Sequence, residues 1–162
     1  MSAILDALHD HPVQEFASGD FVLEQGESTG LLYILIEGSV EVIKEDVTVA
    51  KTSDSGAVFG DLSALLGVPH TAAVRAIAPS RFHVVDNPKV YLQENPAVCL
   101  HLCELIARRL DAVNKYLVDV KHQFAGHDHL AMVDQVLDTL MNRQPRQRVA
   151  PRRSTLDPEM AE

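Results

Sequence analysis

The stretch FGDLSALLGVPHTAAVRA, residues 59–76, decides how this chain is read. An aromatic residue and Gly60 lead into a short leucine-rich run. Gly67 and Pro69 end that run, and the β-prone TAAVRA follows. A glycine opening a short helix lets the backbone approach closely whatever lies against it. The first-turn N–H groups of such a helix have no internal partner and carry its positive end, so they suit an anion. The segment therefore has the form of a loop that cradles a phosphate. At the point where a cation should clamp that phosphate stands His70, whose unperturbed imidazole is mostly neutral near pH 7.

Upstream, from Val13 to Val85, short β-prone runs alternate with turn residues, as in FVLEQGES, LYILIEG, SVEVIKED and RFHVVD. Glycines at 19, 26, 30, 38, 56, 60 and 67 punctuate them. Closely spaced strands broken in this way predict an antiparallel sandwich or barrel, here a closed or nearly closed, jelly-roll-like β-roll. Gly38, between the apolar runs of LYILIEGSVEVI, marks a hairpin in this reading. A short helix is expected within residues 1–12, with Ile4, Leu5 and Leu8 on one side.

Downstream the period turns helical. Ile106, Leu110, Val113, Leu117, Val120 and Phe124 step by four and three in alternation, and Cys99 and Cys103 extend the stripe backwards. That spacing is a heptad seam. A helix of this length, on the order of 40 Å, outruns a small β-domain and needs a partner at its far end. The expectation is a homodimer formed through residues 99–124. Cys99 and Cys103 are read as two buried thiols in a reducing compartment. Gly126 should stop the long helix, and Asp128 should cap a shorter one over HLAMVDQVLDTLM. The tail from Asn142, with three prolines and almost no large apolar residues, is expected to be disordered. The expected division is an N-terminal helix at 1–12, a β-roll at 13–90, C-terminal helices at 91–141 and a tail at 142–162.

The net charge of −9, from 23 acids and 14 bases, disfavours nucleic acid as the main partner, because such affinity rests on neutralising phosphates. No apolar run approaches the roughly 20 residues that cross a bilayer, and MSAILDALHD does not resemble a signal peptide. The expected setting is cytoplasmic, without a membrane partner.

Residues 13 to 125 resemble the cyclic-nucleotide-binding domain family, a group of mainly β domains with helices that includes Crp-like regulators and kinase regulatory subunits. In FASGDFVLEQGESTGLLYILIEGSVEV, Gly19, Gly26 and Gly38 fall where the family places turn glycines. A glycine common after GES is Thr29 here, with Gly30 one place late. The second half resembles the family's phosphate-binding cassette over residues 59–72. Phe59, Gly60, Leu62, Leu65, Leu66, Thr71 and Ala72 match it, while Asp61 and His70 stand at the glutamate and arginine positions. The resemblance implies that Gly60, Leu62 and Ser63 meet a cyclic phosphate with main-chain amides, and that Asp61 meets the ribose hydroxyl. It places His70 where a guanidinium fork neutralises the phosphate, followed by Thr71 and Ala72. Losing that charge-assisted contact costs about 1.5–3 kcal/mol, or roughly ten- to a hundredfold in affinity. Strand alternation points Arg75 away from His70. In the transcription-factor branch the long helix reads the base just after ARRL; Val113 and Asn114 occupy those positions here, and Asn114 is the candidate base contact. Residues 128–141 resemble the first helix of a helix-turn-helix, but no recognition helix follows in this sequence, so specific DNA binding alone is not expected.

Three readings follow. The first is a stand-alone regulatory sensor for cAMP, cGMP or a related phosphorylated ligand, acting in signal transduction by moving the C-terminal helix against an unidentified protein partner. In that reading His70 acts as imidazolium, and affinity strengthens from pH 8 to pH 6. The second is a protein-interaction module whose cassette is structural and empty. The third, a metal-dependent enzyme suggested by eight histidines and two HDH triplets, lacks a recognisable catalytic arrangement, and no catalytic or metal role is expected.

Overall fold

The computed structural model describes residues 3–124 and 131–142. A short helix α1 (Ala3–Ala7) precedes β1 (Val13–Phe16), β2 (Phe21–Leu23), β3 (Leu32–Glu37), β4 (Val40–Lys44), β5 (Val47–Thr52) and β6 (Val58–Phe59). The cassette helix α2 (Asp61–Leu66) follows, then β7 (Ala73–Ala76), β8 (Ser80–Val85), α3 (Pro88–Glu94), α4 (Pro96–Gln123) and α5 (Ala131–Asn142). The strands form two antiparallel four-stranded sheets, ordered β1-β8-β3-β6 and β2-β7-β4-β5. This is the mainly β, antiparallel roll with C-terminal helices that the punctuation of the sequence predicts.

The alternation of side chains along a strand explains why LYILI is apolar throughout. Tyr33 and Leu35 point between the sheets, where they pack with Phe16, Val22, Val40, Phe59, Val74 and Phe82. Phe82 lies at the centre, edge-on to Phe16 at 5.6 Å and to Phe59 at 6.1 Å. Leu32 and Ile34 point to the other face and pack with Val58 and Val85 against Ile4 of α1, Leu8 in the turn after it, Leu92 of α3 and Val98 and Leu102 of α4. The sheet containing β3 is therefore covered on both faces. No helix among the described residues is long and apolar enough to cross a membrane.

Two local expectations are corrected. Gly38 does not turn a hairpin: β3 and β4 belong to different sheets, and Gly38 is where the chain crosses between them. It has φ 115°, and a Cβ there would lie 2.5 Å from Ser80 Cα, so only glycine allows the two crossings to touch. The tight hairpin is β4–β5, turned by Glu45 and Asp46, both at positive φ (49° and 65°), the geometry that matches strand twist. The stripe at the start of α4 also differs. Val98 and Leu102 are buried, Leu105 and Ile106 pack beside them, and Cys103 is exposed while Cys99 is half-buried. The roll takes the face of Val98, Leu102 and Leu105, one residue away from the expected line, and this turns Cys103 outward.

The chain divides into two compact units, residues 1–106 and 107–162, with the division inside α4. In the second unit Leu117 and Val120 are half-buried, Leu110, Val113 and Phe124 are exposed, and Lys121 pairs with Asp134 of α5. The expected stop at Gly126 and cap at Asp128 lie outside the described residues, as does the tail from 143 onward.

Candidate functional site

The cassette is built from the end of β6, helix α2 and the loop into β7. Phe59 is anchored in the inter-sheet core, which fixes the entry to α2. Gly60 caps α2 in the left-handed conformation, φ 82° and ψ 5°, with no side-chain cap. A Cβ at Gly60 would meet Leu31 O at 2.6 Å, so the close approach of the β2–β3 loop requires glycine here. Asp61 is buried at the first position of α2, where a carboxylate suits the positive end of a helix. Gly67 closes α2 with φ 67°, its N–H donating to Ser63 O. The Ser63 hydroxyl donates to Val68 O at 2.6 Å, holding the loop that leads to His70. Leu65 packs on the helical side of the roll, while Leu62 and Leu66 are exposed.

His70 is 4% exposed, and its ring stands beside Gly60, Cε1 3.7 Å from where a Cβ would sit. Its Nε2 shares a hydrogen bond of 2.9 Å with Thr29 Oγ1. Its main chain is held on both sides: Gly26 N donates to His70 O at 2.9 Å, and His70 N donates to Glu27 O at 2.8 Å. His70 thus ties the β2–β3 loop to the cassette. Burial pushes its pKa below the usual imidazole value, although the nearby Glu27 charge pulls the other way. A lowered pKa disfavours the imidazolium in this closed arrangement, because the burial that closes the slot also opposes the charge. Thr71 beside it is exposed and Ala72 is half-buried.

Arg75 is oriented away from His70. It donates from Nε to Glu41 Oε1 at 2.8 Å, its Nη2 contacts the same carboxylate, and its guanidinium lies 5.8 Å from the centroid of the Phe21 ring. Phe21, Arg75 and Glu41 are register partners across three strands. Glu41 also accepts from Thr48 Oγ1 at 3.3 Å, and its pKa is lowered first by the Arg75 hydrogen bond. Asn114 lies on α4 in the second unit, half-buried, with its Oδ1 buried and without a hydrogen-bond partner among the described residues. The other candidate residues belong to the first unit. Thr29 carries a contact that the sequence showed only as a displaced turn glycine. Its position and His70, both departures from the family pattern, are the signal that could have linked them. Among the described residues no cluster of three or more His, Cys, Asp or Glu could hold a metal ion.

Residues 13–91 match the family model of the cyclic nucleotide-binding domain. The CRP-like cAMP-activated global transcriptional regulator of Mycobacterium tuberculosis is 28% identical over 115 residues, which are 65% of this chain and 50% of that protein. The type II regulatory subunit of cAMP-dependent protein kinase from Drosophila melanogaster is 32% identical over 76 residues, 47% of this chain and 19% of its own length. Against a cGMP-dependent protein kinase of Caenorhabditis briggsae the match spans 9% of the relative. The chain therefore covers at most half of these relatives. Among solved structures, the catabolite activator protein of Thermus thermophilus superposes with a TM-score of 0.62 at 18% identity, over 88% of this chain and 83% of that one. This likeness speaks for the fold.

Proposed function

We propose that the chain is a regulatory sensor domain that receives a cyclic nucleotide, cAMP or cGMP, against residues 59–72 and passes its occupancy to a protein partner through the C-terminal helix. The observation that carries the proposal is Gly60. It is held left-handed at the start of α2 with no side-chain cap, and Leu31 O crowds its Cβ position with the His70 ring beside it, so the turn that presents the first-turn amides of α2 requires glycine. The ligand is held by main-chain donors and by Asp61, Ser63, Thr71 and Ala72 around them, with a neutral imidazole where a cation would stand. Affinity is therefore roughly ten- to a hundredfold below that of a guanidinium-clamped site. Homodimerisation through α4 gives the helix a partner: Leu110, Val113 and Phe124 remain exposed along one seam. Signalling then requires the two helix arrangements to bind ligand with different affinity. Asn114 is the candidate base contact from α4.

A second reading is favoured by the Thr29–His70 hydrogen bond. A cassette closed on itself in this way serves as a ligand-free interaction module. Calorimetry and thermal shift with cAMP and cGMP at about pH 7.5 separate the two. Weak, saturable binding with a concentration-dependent rise in Tm supports the sensor. Absence of binding in both the native chain and a variant with a restored cation, Thr29→Gly/His70→Arg, leaves only the interaction module.

A further inference from the structure

The segment joining α1 to β1 crosses the outer face of β8 above His83. That side chain is 7% exposed and lies on the same face as Val85, at the rim of the cluster that joins α1, α3 and the start of α4 to the roll. His83 Nδ1 shares a hydrogen bond of 3.3 Å with His11 O. The neighbouring backbone is fastened too, with Val84 N donating to Pro12 O at 3.0 Å and Val13 paired with His83 in the ladder. From the other side the His11 ring stands edge-on to Tyr91 of α3, 4.6 Å between centroids, and Tyr91 OH donates to Ala7 O at 3.4 Å. His11 Nδ1 is buried in this junction without a hydrogen-bond partner among the described residues. The N-terminal segment is thus held on the roll by the burial of Ile4 and Leu8, by backbone pairing and by two imidazoles and a phenol.

We propose that this junction is a pH-sensitive latch, in which neutral His83 docks residues 3–12 on β8 and α3 at neutral pH and releases them in mild acid. Docking buries Ile4 and Leu8 against Leu92, Val98 and Leu102, the residues on which α3 and the first turns of α4 rest. Release uncovers that base, so the latch acts on the root of the long helix.

The charged groups around His83 support this direction. Burial is the largest influence lowering its pKa, and His11, Arg81 and His9 add repulsion, while the hydrogen bond to His11 opposes them. Arg81 is itself held by Glu15 of β1 at 3.4 Å and Glu37 of β3 at 3.0 Å. His9 pairs with Asp10 at 3.0 Å and hydrogen-bonds Asp6 O at 2.8 Å. Glu15, Glu37 and Asp10 are thus engaged with Arg81 and His9. A docked His83 has a pKa below the ordinary 6.5, so docking is fully favoured above that value and weakens as pH falls from it towards the docked pKa.

The test is amide hydrogen exchange of the intact chain at about pH 7.5 and pH 5.5, corrected for the intrinsic chemical rate. The His11 amide, bonded to Leu8 O, reports the latch, and the Leu35 amide, bonded to Ala57 O, reports the roll. Uptake of one proton per released segment predicts an opening of His11 that is up to about tenfold more frequent at the lower pH. Leu35 should be unchanged, and His83→Gln should abolish the difference. Equal opening at both pH values, an equal gain at Leu35, or a difference that persists in His83→Gln overturns the latch. Should His83→Gln fail to fold, an NMR titration of the native imidazole decides: a midpoint below 6.5 supports the latch, and one at or above 6.5 overturns it.

Discussion

If His70 is neutral because Thr29 closes its slot, restoring a cation should require changing both residues. His70→Arg alone places a longer side chain in a space whose end is occupied by Thr29 Oγ1, 2.9 Å from the imidazole. The backbone cannot shift to help, because Gly26 and Glu27 bond it on both sides. The guanidinium must swing outward, where Glu27 competes for it, and cyclic nucleotide affinity should change less than about threefold, a difference below 1 kcal/mol. Thr29→Gly alone removes a neutral hydrogen bond worth about 0.5–1.5 kcal/mol of stability and adds no donor, so affinity should stay level. The double variant opens the slot to the fork of donors. A charge-assisted contact of about 1.5–3 kcal/mol would tighten binding roughly ten- to a hundredfold, with Glu27 holding the gain near the lower end. Calorimetry with cAMP and cGMP on all four proteins completes the cycle. A full gain from His70→Arg alone would refute the closed slot, and a double variant no tighter than the native chain would refute the seat itself.

Other outcomes follow from the same geometry. Cyclic nucleotide affinity should strengthen little as pH falls from 8 to 7, because burial opposes protonation of His70; a steep rise in calorimetric affinity over that interval would contradict its burial. By the same sign, the His70 contribution to folding is complete above pH 6.5 and is lost as pH falls towards its lowered pKa, which an imidazole titration with parallel denaturant melts would show. Gly60→Ala should destabilise the fold by about 1–3 kcal/mol through left-handed strain and the contact with Leu31 O, and Gly38→Ala by more, since backbone as well as side-chain atoms of Ser80 lie within 2.6 Å of its Cβ; chemical denaturation measures both. Val113→Glu should convert a dimer to a monomer in sedimentation without lowering the Tm of the roll, and a native chain that sediments as a monomer would exclude pairing through α4.

What the sequence showed and what it hid divide by the range of the interactions. The roll was legible because strand alternation, turn glycines and the Phe59–Gly60 step are local features that a window of a few residues carries. Gly38 was misread because a hairpin and a crossing between sheets use the same local signal; the difference lies in Ser80, which is remote in sequence. The true hairpin turns on Glu45 and Asp46, residues that tolerate positive φ without announcing it as glycine does. Cys103 faces outward because the roll selected a face of α4 one residue away, and heptad spacing alone cannot rank adjacent faces when one end of a helix rests on a sheet.

The site shows the same division more sharply. Read singly, Thr29 is a misplaced turn residue and His70 a missing cation. Across 41 residues they make one hydrogen bond. A cassette that had merely lost its arginine would leave a buried imidazole nitrogen without a partner, at a cost of about 1–3 kcal/mol. Here that nitrogen is satisfied, the main chain around it is bonded on both sides, and Gly60 keeps the conformation that close approach demands. That order marks a junction kept in altered form rather than a decayed cassette. On the proposed sensor reading, a ligand that meets this imidazole gains little there from the full charge of a phosphate, so its affinity rests on the geometry of main-chain amides.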